Sequence, residues 1–168
     1  MDGQPEQRKT SVSILTDLGW ATGTLHLPSQ QTLLDYLNSS GPVLKCTRVR
    51  VPTRSDVINF VGFRREAVQV VAPSIDELVE PTGAIGHTTP RDVTCILPSG
   101  ELEGKLDVLV NLRVSDFLRQ QTSLVVLRKC VFRPHGATET AQERRLSVVV
   151  VNMARALGVA QLQGSGTQ

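Results

Sequence analysis

The sequence predicts a mainly β protein with a minor helical part, built as two tandem small curled β-barrel units of the SH3-like or Sm-like kind. Three observations carry this. Valine occurs 22 times in 168 residues while only six residues are aromatic, a β-branched, aromatic-poor mix that favours pleated sheet and aliphatic cores. Several short runs alternate apolar and polar residues, as half-buried strands do. Finally, sliding the chain by 81 residues sets residues 12–51 against 93–132 without a gap, and such self-similarity points to a duplicated unit.

The elements follow in order. Residues 93–97 alternate around Val93, Cys95 and Leu97, Pro98-Ser-Gly100 turns, and Leu102, Gly104, Leu106 and Val108 continue one face, which reads as a hairpin. The first copy repeats it with Val12 and Ile14, a turn over residues 17–20, and Ala21, Gly23, Leu25 and Leu27. Gly23 and Gly104 fall mid-strand, where glycine marks a bulge, a bend or close backbone approach. Leu33-Leu-Asp-Tyr-Leu37 and Val114-Ser-Asp-Phe-Leu118 space their apolar residues for a helix of about two turns. Two apolar runs follow (residues 43–51 and 57–63 in the first copy), then a turn at Arg64-Arg65-Glu66 and a last short strand. Each unit is therefore β-β-α-β-β-β, with a half-open, strongly curled sheet as the alternative to a small barrel. Beyond residue 51 the best offset is 89, which sets residues 57–63 against 146–152 and places extra residues in the polar stretch 133–145.

These boundaries divide the chain into a flexible N-terminus (1–10), a first β unit (11–72), a linker (73–91), a second β unit (92–162) and a flexible tail (163–168). The linker carries Pro73, Pro81, Gly83, Gly86 and Pro90.

The matched motifs also resemble a known pattern. Arg113-Val-Ser-Asp-Phe-Leu118, preceded by Gly104-Lys-Leu, is similar to the R-L-S-D-F/Y-L-N signature of a small uncharacterised bacterial domain family. Gly23-Thr-Leu-His-Leu-Pro with Thr32-Leu-Leu-Asp-Tyr-Leu-Asn38 resembles it again, and Val149-Val-Val-Asn152 resembles the family's V-x-V-N stretch. Thr32 replaces the signature's arginine, and Arg119 its asparagine. The resemblance implies domain boundaries and no activity.

Composition narrows the classes of function. With 40% hydrophobic residues and a net charge of +2, the chain is neither a disordered tail nor a polybasic arm. No run of 18 apolar residues exists and residues 1–11 are polar, so the expectation is a cytoplasmic protein with no membrane insertion. Cys46, Cys95 and Cys130 sit in apolar runs outside any C-x-x-C and read as reduced core residues. His26, His87 and His135 lack metal-ligand spacing, Ser115 lacks a nucleophile motif, and Gly83-Ala-Ile-Gly86 lacks the rest of a phosphate loop. No catalytic residue, metal or cofactor is therefore expected, and the chain reads as a non-enzyme.

Four recurring positions, Gly23 with Gly104 and Asp35 with Asp116, read as structural, the aspartates favouring the start of a short helix. Trp20 at the first hairpin turn has Glu101 as its counterpart. It is either a protein-contact hot spot or a cap on the barrel or the other copy. Arg48, Arg50, Arg64, Arg65, Arg128 and Lys129 form a candidate basic face able to track phosphates, though stacking aromatics are nearly absent there. The leading expectation is a protein-interaction or adaptor module in a cytoplasmic regulatory or structural complex. Strand-rich curled units expose edges that another protein or a second subunit can cover. A nucleic-acid or nucleotide-binding regulator is the alternative, and a degenerate enzyme domain the third.

Overall fold

The computed structural model describes residues 3, 6–74, 77–80, 87–120, 123–136 and 142–162. The expected tail (163–168), Gly83-Ala-Ile-Gly86 and the middle of the 133–145 stretch lie outside the described residues.

The alternating runs form long hairpins. Strand β1 (Gln7–Thr16) pairs with β2 (Gly19–Pro28) across a two-residue loop, and β6 (Thr88–Leu97) pairs with β7 (Gly100–Leu109) in the same way. Helices α1 (Leu33–Ser39) and α2 (Val114–Gln120) follow. Next come β3 (Val43–Arg50), β4 (Ile58–Arg64) and β5 (Val70–Pro73) in the first half. The second half supplies β8 (Leu124–Pro134), β9 (Arg144–Asn152) and β10 (Gly158–Gln161). A 3-10 turn links β4 to β5 (Arg65–Ala67) and another links β9 to β10 (Met153–Arg155).

All ten strands join one antiparallel sheet in the order β10-β6-β7-β8-β9-β5-β1-β2-β3-β4. The sheet is not closed among the described residues. Two small barrels were the leading expectation and a half-open curled sheet the alternative; β5 pairs with β9 of the other half and not with β4 of its own, through Val70–Val151 and Val71–Val150. Neither half closes upon itself, and the sheet runs on from one into the other.

The burial pattern explains this choice. Around the seam, successive side chains of β1, β5 and β9 alternate between two hydrophobic clusters. Ile14, Val71 and Val150 enter the first half's core, while Leu15, Val70, Ala72, Val149 and Val151 enter the second's. A strand buried on both faces must be apolar at every position, which Val70-Val-Ala72 and Val148-Val-Val-Val151 satisfy. Each fully buried side chain of this size contributes about 1.5–3 kcal/mol of transfer free energy.

The strand registers recur. Val12 opposes Gly23 and Val93 opposes Gly104, both pairs being 81 residues apart. The β2–β3 and β7–β8 ladders each shift register at matching places, between Thr22 and Thr24 and between Glu103 and Lys105. Arg48 (φ 52°) and Lys129 (φ 50°) are the two described non-glycine residues with positive φ, and they too are 81 apart. Beyond this point the offset is 88, since Val43–Arg64 corresponds to Leu124–Asn152 and Val12–Pro73 to Val93–Gln161. The expected offset of 89 is thus corrected by one residue. Four consecutive valines fix no unique register, and the intervening loop hid the true gap.

Three boundaries also change. β1 begins at Gln7, and Thr10 within it is buried, so Gln7–Thr10 belong to the sheet and not to the flexible N-terminus expected over 1–10. β5 extends to Pro73 and β6 begins at Thr88, which narrows the linker from both ends. Part of that linker is core: Val79 is buried, and Leu78 and Val79 accept hydrogen bonds from the Leu33 and Leu34 amides at the start of α1. Among the described residues no helix is long and apolar enough to cross a membrane.

Gly100 opens β7 against the wall of β8. A Cβ there would stand 2.7 Å from Phe132 Cζ and collide with the Arg133 carbonyl oxygen. Gly100→Ala should therefore lower the free energy of unfolding by roughly 1–3 kcal/mol, read as a lower urea midpoint at unchanged slope.

Candidate functional site

The first question is whether any side chain is chemically poised. The three thiols are buried and free, and burial pushes Cys46 and Cys130 up to about 12 and Cys95 up to about 11. They stay protonated at neutral pH, as buried structural thiols do. His26 Nε2 lies 2.8 Å from Thr47 Oγ1, and His135 Nε2 2.7 Å from the Leu97 carbonyl. Among the described residues no three His, Cys, Asp or Glu side chains converge as a metal site requires.

The structure scatters the basic face. Arg64 pairs with Glu66 at 2.9 Å, and Arg128 pairs with Glu80 at 2.9 Å and lies 3.8 Å from Asp107. Arg65 donates to the Leu37 carbonyl at 2.6 Å, tying the end of α1 to the turn after β4. Such exposed ion pairs contribute at most about 1 kcal/mol, but they neutralise the stripe. Arg48, Arg50 and Lys129 are exposed, with no carboxylate within 4 Å among the described residues. Arg48 and Lys129 sit at the left-handed tips of the two bulges. There Gly23 and Gly104 meet β3 and β8 closely: a Cβ on Gly23 would lie 3.2 Å from Val49 Cγ2, and one on Gly104 2.9 Å from Cys130 Sγ.

Asp35 and Asp116 fall in the first turns of α1 and α2. The hydroxyl that caps α1 belongs to Thr32, which accepts the Asp35 amide at 3.2 Å. Trp20 is half-buried. Its ring stands edge-on to Phe132 of the other half at 5.4 Å, and the Arg144 guanidinium lies 4.5 Å over it. Arg144 also donates to Ser13 Oγ at 2.8 Å.

What the structure does assemble is a polar clasp around the β5–β9 seam. Gln69, fully buried, donates from Nε2 to Asp17 Oδ1 at 2.8 Å and to Ser99 Oγ at 2.9 Å, and its Oε1 accepts the Ser99 amide at 3.2 Å. Ser99 Oγ in turn donates a hydrogen bond to the Thr16 carbonyl at 2.9 Å, and Arg155 donates to Asp17 Oδ1 at 2.7 Å. Asn152 donates to the carbonyls of Val68 at 2.9 Å and Arg65 at 3.2 Å, while its Oδ1 accepts the Ala154 amide at 3.2 Å. Sequence reading missed Gln69 as a site. The signal was there: one glutamine inside the apolar run Ala67-Val-Gln-Val-Val71, since a buried amide needs partners.

The opposite features mark the two outer edges. On β4, Phe60 is 56% exposed, with exposed Val57 just before the strand. Beside β10, Leu157 is 72% exposed, and Leu162 is exposed just beyond it. Leu18, at the tip of the first hairpin, is 67% exposed.

Asn152→Ala would leave the buried Val68 carbonyl without its partner. It should cost about 1–3 kcal/mol in urea unfolding, whereas Arg54→Ala, which removes an exposed pair with Asp56, should leave the urea midpoint unchanged. Comparisons of the chain with family models, with curated proteins and with solved structures gave no match.

Proposed function

We propose that this protein is a non-enzymatic interaction module made of two copies of one β-β-α-β-β-β unit, and that it binds protein through the two open edges of its sheet. The duplication is supported by ladders, bulges and positive-φ residues that recur at matched offsets. The order within each half (β5-β1-β2-β3-β4, and β10-β6-β7-β8-β9) supports kinship with small SH3-like or Sm-like barrels whose closing pair has been given up. Membership of the bacterial domain family, a cytoplasmic setting and work without a cofactor belong to the same reading.

One observation carries it. β4 and β10 end the sheet with backbone open to pairing, and large apolar side chains lie exposed on or beside both, Phe60 and Val57 at one and Leu157 and Leu162 at the other. An open edge is a ready template for an added strand, with main-chain hydrogen bonds giving affinity and flanking side chains giving selectivity. Proteins that keep their edges free blunt them with charge or proline, and of these four flanking residues none is charged.

A second reading rests on Arg48, Arg50 and Lys129, whose charges stay unpaired among the described residues. They could hold phosphates of a nucleic acid or nucleotide. The ion pairs that take up Arg64 and Arg128 break the stripe and make it the weaker reading.

Affinity purification from the native cell separates the two. Phe60→Asp or Leu157→Asp should release the bound protein without lowering the melting temperature, while the double variant Arg48→Glu/Arg50→Glu should keep it. The interaction reading fails if both edge variants retain the partner. Retention of the chain on RNA or DNA at low salt, lost in the arginine variant, would establish the second reading in its place.

A further inference from the structure

The seam between β5 and β9 is a contact between the last strand of one half and the fourth strand of the other. Its counterparts stand empty at the ends of the sheet. By the recurring offsets, β10 holds the place of β5 and β4 the place of β9, so one molecule carries both sides of the same contact, turned outward. The geometry points to a second copy of this chain as the partner: β4 of one molecule pairs antiparallel with β10 of the next, repeating the internal seam. This names the occupant of the edges proposed above and rests on that reading.

The register is transferable residue by residue. At the seam Val151 faces Val70 and Val150 faces Val71; between molecules Phe63 would face Gly158, and Gly62 would face Val159. In place of two valine pairs the outer edges offer a large residue opposite glycine at each position, which keeps the pairing filled without overlap. The backbone is aimed correctly too. Leu162 donates its amide to Asp92 on β6, so strand alternation turns the Val159 amide outward. Arg65 donates to Pro42 on the β3 side, which likewise turns Gly62 outward.

The side chains flanking the ladder agree. The buried hydrogen bonds of Gln69 with Ser99 map onto Leu157 and Leu18, the two most exposed large apolar residues described, at 72% and 67%. Two leucines thus replace two polar partners as a matched pair, each lacking an apolar neighbour only while the molecule is alone. Leu124 and Val148 of β8 and β9 pack against the first half's core; their counterparts are Val43 and Phe60, exposed at 36% and 56%. The receiving side is also uncovered, because Leu37 of α1 is buried whereas its counterpart Leu118 of α2 is only half-buried. Two elements have no copy. Arg144 over Trp20 maps onto Asp56 and Glu101, and Asn152, whose amide closes the seam, maps onto Arg64, which pairs with Glu66, so the contact between molecules lacks both clasps and is weaker than the internal one.

Because the two edges differ, the contact is head-to-tail. Such heterologous contacts form a ring when the rotation closes and a filament when it does not, and they do not give a two-fold dimer.

Native mass spectrometry and light scattering of the full chain test this with three variants. The wild type should appear at multiples of 18.3 kDa that grow with concentration. Leu18→Glu and Leu157→Lys, both at exposed positions, should each fall to the single-chain mass with an unchanged melting temperature, and the double variant should recover assembly through the new opposite charges. A wild type that stays at 18.3 kDa at its highest soluble concentration overturns the proposal. So do single variants that still assemble, a double variant that does not, or a two-fold dimer. A single-chain mass together with a different protein lost on Phe60→Asp would leave the interaction reading intact. No partner of either kind would remove both.

Discussion

The β5–β9 ladder is the constraint on which the rest of the structure depends. It is only a few residues long, yet it lies where two hydrophobic cores meet, with side chains passing alternately into each. Pulling these strands apart would expose both cores at once. The ladder is also closed by amides, Gln69 on β5's approach and Asn152 at the end of β9, each holding groups of the opposite half. Hydrophobic burial supplies most of the free energy, and the hydrogen bonds fix the register, because a slip by one residue would exchange the two cores' side chains and strand the buried amides.

A second device shapes each half. The paired bulges place Arg48 and Lys129 in the left-handed region, at a cost of about 1–2 kcal/mol each, opposite strands in which Gly23 and Gly104 allow close approach. The resulting bend lets five short strands and a helix enclose an aliphatic core with few rings. It also explains the fate of the basic residues. They alternate out of strands that curl, so they point in different directions and find separate carboxylates, as Arg64 and Arg128 do.

Much of this architecture was legible in the sequence. Alternation around Val93, Cys95 and Leu97 gave the hairpin, the leucine spacing of residues 33–37 gave the helix, and the mid-strand glycines marked the bend. What was not legible has one physical cause: the choice of a strand's partner is non-local. Val70-Val-Ala72 and the valines of β9 each read as buried strands, but nothing in either run says that they bury each other. Trp20 shows the same limit. Its lack of a counterpart marked it as special, while its contacts, Phe132 and Arg144, lie more than a hundred residues away along the chain. Thr32 proved to be the residue that caps α1, because a hydroxyl accepts an amide where a guanidinium does not.

The account's central claim is that one strand contact is used twice, once inside the chain and once between chains. Native-state amide hydrogen exchange at increasing protein concentration measures both uses in one sample. The amides of Val71 and Val150 at the seam should be protected to the level of global unfolding at every concentration. Those of Gly62 and Val159 should exchange rapidly in dilute solution and become protected together as the concentration rises. Exchange at Gly62 and Val159 that ignores concentration, or a seam as open as the edges, would contradict it.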